Sequence, residues 1–166
     1  MTGPRVVLVG PMGAGKTTVA RLLGERWDVA VRDTDADVEA GAGKPVSEIF
    51  VDDGEAAFRE LEKAAVATAL ASHDGVLSLG GGAVLDPDTQ VLLKSHPVVF
   101  LRVGLADAVR RVGLGTGRPL LLGNVRARVR QLLEERGPIY ESVATVTVDT
   151  DGLSPAEVAD RIEEVL

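Results

Sequence analysis

The stretch Gly10-Pro11-Met12-Gly13-Ala14-Gly15-Lys16-Thr17 constrains this chain more than any other, because it fits the pattern G-x-x-x-x-G-K-[ST] in the right surroundings. Ahead of it, Arg5 to Val9 is a β-branched apolar run that reads as a buried strand. Behind it, Thr18 to Arg26 reads as a helix with one apolar face. Strand, glycine loop and helix in that order surround a polyphosphate with backbone N–H groups and a positive helix end. The backbone of Gly13, Ala14, Gly15, Lys16, Thr17 and Thr18 is therefore expected to cradle the phosphates of a nucleoside triphosphate. Lys16 would reach the β and γ phosphates, and Thr17 would offer its hydroxyl to Mg²⁺.

Strand-like runs and helical patterns alternate along the rest of the chain. Val29–Asp33, Val76–Leu79, Val98–Val103 and Ala144–Val148 are further candidate strands. Between them, 55–71 places Phe58, Leu61, Ala65 and Ala69 at helical spacing. Shorter helices are expected at 88–94 and 106–111, and a longer one at 125–136 that ends on Arg136 before Gly137-Pro138. Ser154-Pro155-Ala156-Glu157 combines a hydroxyl cap, a proline and a glutamate in the order that starts a helix. Strands alternating with helices imply an α/β fold, a parallel sheet covered on both faces, with ligands beyond the carboxyl ends of its strands. No repeat or linker interrupts the pattern, so 1–166 is expected to be one domain. The exception is 112–124, where Gly113, Gly115, Gly117 and Gly123 surround Arg118-Pro119. Glycine at that density predicts a flexible loop, a candidate lid.

Composition narrows the function classes. A net charge of −7 supplies no broad basic field, so nucleic acid is not an expected partner. The absence of cysteine excludes a disulfide framework, a thiolate metal site and a cysteine nucleophile. No apolar run is long enough for a membrane span, and the first residues lack the apolar core of a signal peptide, so a cytoplasmic location is expected.

Three further features carry chemistry. Asp33-Thr34-Asp35 closes the second candidate strand, and continued extension would place both carboxylates on one side. One would help to hold hydrated Mg²⁺, and the other would orient and deprotonate an attacking hydroxyl. Gly80-Gly81-Gly82 follows the third candidate strand and lets a ligand approach the backbone closely. Arg59, Arg118 and Arg136 offer guanidinium forks for carboxylate or phosphate, with Glu62 one turn beyond Arg59 to pair with it.

With these residues in view, the chain resembles the shikimate kinases over essentially its whole length. The shared marks are the phosphate loop, Asp33-Thr34-Asp35, Phe58-Arg59-Glu60-Leu61-Glu62, Leu79-Gly80-Gly81-Gly82-Ala83, Arg118-Pro119-Leu120-Leu121 and Arg136-Gly137-Pro138-Ile139-Tyr140. The resemblance implies a three-layer α/β/α fold of the nucleoside-monophosphate-kinase type, with five parallel strands in the order 2-3-1-4-5. It also implies transfer of the γ-phosphate of ATP to the 3-hydroxyl of shikimate, on the route to chorismate and the aromatic amino acids. By matching position, Asp35 would hold the shikimate hydroxyls and act as base. Arg59 and Arg136 would clamp the carboxylate beside Gly80, Gly81 and Gly82, and Asp33 would reach Mg²⁺ through water. Arg118 on the lid would meet the phosphates, and Arg111 and Pro155 would sandwich adenine. Phe50 and Phe58 would wall the substrate pocket, and Glu62 would fix Arg59. A monomer is expected. Two other readings compete: a kinase of another hydroxy acid such as gluconate, which the same arginines would suit, and a nucleotide-binding regulatory module. Against a GTPase-type module, no N/T-K-x-D segment follows the late strands.

Overall fold

The computed structural model describes residues 3–116 and 122–166. Strands β1 (Val6–Val9), β2 (Val31–Asp33), β3 (Val76–Ser78), β4 (Val98–Arg102) and β5 (Val146–Asp149) form one sheet in the order β2-β3-β1-β4-β5. Every neighbouring pair is parallel. The helices are α1 (Lys16–Trp27), α2 (Thr34–Ala42), α3 (Val46–Asp53), α4 (Glu55–Ser72), α5 (Pro87–Leu93), α6 (Leu105–Thr116), α7 (Leu122–Val143) and α8 (Pro155–Val165), with a short 3-10 turn at Ala83–Leu85. This is the three-layer arrangement and strand order that the resemblance implies.

β1 takes the centre because its four residues are apolar on both faces and fully buried. Side chains alternate across a strand, so Val6 and Leu8 meet Val19, Leu23, Val158 and Ile162 from α1 and α8. Val7 and Val9 meet Val66, Leu70, Leu93 and Tyr140 from α4, α5 and α7 on the other face. A third, smaller cluster of Val38, Ile49 and Phe58 ties α2, α3 and α4 together. Parallel pairing sends all strand ends the same way. The segments after β1, β2 and β3 therefore converge, although they are far apart in the chain. At the end of β1, Gly10 lies so close to β4 that a Cβ would fall 2.7 Å from the Leu101 carbonyl, and its φ of +151° also favours glycine. Among the described residues, no helix is long and apolar enough to cross a membrane.

Several local expectations are corrected. Asp33-Thr34-Asp35 is not extended: β2 ends at Asp33, whose carboxylate caps α2 by accepting from the N–H groups of Asp35 at 2.8 Å and Ala36 at 3.4 Å. A short acidic side chain at that position satisfies amides the helix itself leaves unpaired. Helices α2 and α3 had no strong periodic pattern to announce them, and packing into the Phe58 cluster stabilises them instead. Arg136 does not end its helix, since α7 runs on through Gly137 and Pro138 to Val143. An interior proline costs roughly 3 kcal/mol. Burial of Tyr140 and Val143 in the core offsets that penalty. The backbone of 112–116 closes α6 and that of 122–124 opens α7, so those parts of the expected loop are helical. Arg118 lies outside the described residues.

Candidate active site

The turn after β1 leads into α1, which begins at Lys16. Lys16 Nζ donates to the carbonyls of Gly10 at 2.6 Å and Pro11 at 3.0 Å, closing the loop on itself. Burial pulls its pKa down from 10.5 to about 8; Asp35 and Asp33 oppose that shift, and Arg136 adds to it. An ammonium held among carbonyls with part of its hydration removed is primed for an anionic ligand.

A cavity of about 320 Å³ opens beside it, lined by Lys16, Thr17, Asp33, Asp35, Gly80 and Gly81 among others. Asp35 Oδ1 is buried there with no hydrogen-bond partner. Burial, and then the neighbouring Asp33, push the Asp35 pKa up; Lys16 pulls it down. A buried acceptor without a donor is unfavourable until a ligand hydroxyl supplies one.

The glycine triplet fits between three charged side chains. A Cβ on Gly80 would lie 2.6 Å from Asp35 Oδ1, and one on Gly82 would lie 2.5 Å from Arg59 Nη1. A Cβ on Gly81 would stand 3.7 Å from Arg136 Nη1, so both guanidiniums flank the triplet. None of the three uses a positive φ; it is their size that the site requires. Arg59 is held by Glu62, which accepts from its Nη1 at 2.8 Å. Burial raises the Glu62 pKa and Arg59 opposes it.

Around the start of α1, a second cavity of about 330 Å³ is lined by Gly15, Thr18, Arg110, Arg111, Thr150 and Pro155 among others. Gly15 and Thr18 line both cavities, so the two adjoin at the helix end. Arg111 Nη1 donates to the Gly13 carbonyl at 2.9 Å, which joins α6 to the phosphate loop. Pro155 is set at the start of α8 by the expected Ser154–Glu157 capping box.

The family model described as shikimate kinase matches residues 12–166. The chain belongs to the shikimate kinase family. It is 60% identical over 162 residues to a shikimate kinase of Saccharopolyspora erythraea, covering 97% of this chain and 93% of that one. With a shikimate kinase of Salinispora arenicola the identity is 59% over 163 residues, covering 98% of each. The structure of a shikimate kinase from Acinetobacter baumannii in complex with shikimate superposes with a TM-score of 0.90 at 33% identity, covering 99% of this chain and 93% of that one. The protein is thus a kinase, and a nucleotide is its phosphate donor.

In this shikimate kinase family member, not every residue expected at the site lines the cavities. Arg59, Glu62, Gly82 and Arg136 stand beside the first cavity rather than in its lining, and so do Phe58, which is buried with Val38 and Ile49, and Phe50, which tilts against it at 4.7 Å between ring centroids. Phe58 instead supports Arg59, whose guanidinium carbon lies 5.3 Å from the ring centre. Other residues enter that sequence reasoning passed over. Arg110 and Thr150 line the second cavity, and Arg110 was legible only as a charge beside Arg111. Thr34 sits inside a quoted motif, and its hydroxyl accepts from the Gly80 N–H at 3.3 Å.

Proposed function

We propose that the protein transfers the γ-phosphoryl group of ATP to the 3-hydroxyl of shikimate, giving shikimate 3-phosphate and ADP on the route to the aromatic amino acids. One observation carries this reading: the orphaned Asp35 Oδ1 faces the cavity that Lys16 lines, beside a glycine triplet flanked by Arg59 and Arg136. The near full-length identity to shikimate kinases supports the choice of acid.

Arg59 and Arg136 hold the acid's carboxylate in charge-assisted contacts, Arg59 being kept in place by Glu62. With the carboxylate fixed, the hydroxyl to be phosphorylated falls to Asp35 Oδ1. Asp35 accepts its hydrogen bond and takes its proton as the oxygen–phosphorus bond forms and the bond to the ADP oxygen breaks. Lys16 turns from the Gly10 and Pro11 carbonyls to the phosphates and neutralises charge as it builds. The phosphate-loop backbone from Gly13 to Thr18 orients the polyphosphate at the start of α1. Arg111 and Pro155 hold the adenine in the second cavity, and Arg118 pairs with the phosphates.

The Thr17 hydroxyl and the Asp33 carboxylate would hold Mg²⁺. The donor set fits: both line the same cavity, and Asp33 engages only Oδ1 in capping α2. When bound, the ion neutralises phosphate charge. One domain, a monomeric state and a cytoplasmic location belong to the same proposal. The use of ATP as donor supports the location, and the charge of −7 supports the exclusion of nucleic acid.

The test is ADP release from Mg·ATP with shikimate, gluconate or quinate. Strong stimulation by shikimate alone is expected, and stimulation by gluconate or quinate instead would replace the substrate.

A further inference from the structure

Three glycines in a row have little conformational preference of their own, and the Ala83 N–H on the Gly80 carbonyl at 3.1 Å closes them into a turn whose central peptide, between Gly81 and Gly82, needs a further contact to fix its direction. The first constraint is the Thr34 hydroxyl on the Gly80 N–H. The second comes from α7. The Tyr140 hydroxyl donates to the Gly81 carbonyl at 2.5 Å, across 59 residues of chain. Tyr140 is 1% exposed, and its ring stacks on Phe100 with 5.0 Å between centroids, so the phenol is a fixed post.

Peptide geometry gives that bond a consequence. A trans peptide points its C=O and N–H in opposite directions, and the Gly81 carbonyl shares its peptide with the Gly82 N–H. Holding the carbonyl at Tyr140 therefore aims the Gly82 N–H away from α7. Gly82 is buried, and among the described residues nothing accepts its N–H. The Arg59 guanidinium rests against the same residue. One turn before Tyr140 on α7, Arg136 approaches Gly81. A single helix thus carries one guanidinium of the cleft and the post that orients the backbone between both.

We propose that Tyr140 is a positioning residue for the acid substrate: its hydroxyl sets the direction of the Gly81–Gly82 peptide, and with it the register of the triplet against Arg59 and Arg136. This rests on the function proposed above. Without the hydroxyl, the turn closed by the Ala83 N–H on the Gly80 carbonyl at 3.1 Å still stands, but its central Gly81–Gly82 peptide loses the contact that fixes its direction, and the acid must restrain it on binding.

Tyr140→Phe keeps the ring and its stacking and removes the hydroxyl alone. The expected result is a shikimate KM raised roughly tenfold, with ATP KM and Tm nearly unchanged. An unchanged shikimate KM overturns the inference, and so does an equal rise in both KM values with a fall in Tm, which marks a merely structural role. A second measurement needs no variant. Tyr140 is the chain's one tyrosine, so 3-fluorotyrosine labels that site alone. Its ¹⁹F resonance is expected to shift when shikimate is added without nucleotide, and a resonance indifferent to shikimate overturns the inference. Wild-type protein with no shikimate-dependent turnover would instead overturn the proposed substrate, and this inference with it.

Discussion

Glu62 holds Arg59 from below. Its carboxylate, only 5% exposed, accepts from Arg59 Nη1 at 2.8 Å, while the exposed Glu55 lies 3.6 Å from Nη2. Burial disfavours the charged form of Glu62, so the arginine and the glutamate stabilise each other's charge at the edge of the cleft. The pair leaves the guanidinium against Gly82, aimed where the acid is proposed to bind.

Glu62→Gln removes the charge and keeps the shape. Arg59 then loses its buried counter-ion and gains freedom at the cleft. Losing a charge-assisted bond of ~1.5–3 kcal/mol predicts a shikimate KM raised by roughly tenfold or more, with ATP KM unchanged. Steady-state kinetics with each substrate varied in turn check this, and an unaltered shikimate KM would detach Glu62 from the clamp.

Gly82→Ala places a methyl 2.5 Å from Arg59 Nη1. The obstacle is the tip of a flexible side chain, and Gly82 has an ordinary φ of −100°, so the fold is expected to survive with little change in Tm. The guanidinium must move by an ångström or so, which predicts a loss on the order of 10²-fold in kcat/KM for shikimate. Thermal unfolding and kinetics on one preparation decide it. A large fall in Tm, or undiminished kcat/KM, would contradict the account.

Two of the perturbed groups of the cleft predict a pH profile. As the proposed base, Asp35 must be ionised to accept a proton, and its pKa is raised by burial and by Asp33. Lys16 must be protonated to meet phosphate, and its pKa is lowered to about 8 by burial. In the free enzyme kcat/KM should rise as Asp35 ionises, then fall as pH passes through about 8. The groups interact, so the limbs belong to the pair. Asp35→Asn should lower kcat and erase the acid limb while leaving ATP binding intact. A wild-type profile flat through pH 8 would remove Lys16 from that role. Stability carries the matching sign. Between about 8 and 10.5 the unfolded chain binds more proton at Lys16 than the folded one, so this contribution grows with pH and is lost as pH falls through about 8.

Local chemistry was readable where a short run of residues suffices. The strand, loop and helix around Lys16, the alternation of strands with helices, and the Ser154–Glu157 cap all depend on neighbours in the chain. The Arg59–Glu62 pair follows from helical spacing alone. Asp33-Thr34-Asp35 shows where that reasoning stops. Its composition pointed to a strand end, and the Asp33 cap together with the packing of α2 makes it the start of a helix instead.

The sequence by itself therefore determined the chemical groups and their family, because the phosphate loop and the five motifs that follow it are each written in a few consecutive residues and stand in one order along the chain. Tertiary structure decided which of those groups meet. Parallel pairing of β3 between β1 and β2 brings Gly80 to Asp35, and the passage of α7 through Pro138 brings Tyr140 to Gly81. The burial that leaves Asp35 Oδ1 without a partner is likewise a product of packing. Periodicity records which face of an element is apolar. Which elements then meet, and which polar atoms lose water as they do, depends on contacts between residues far apart in the chain.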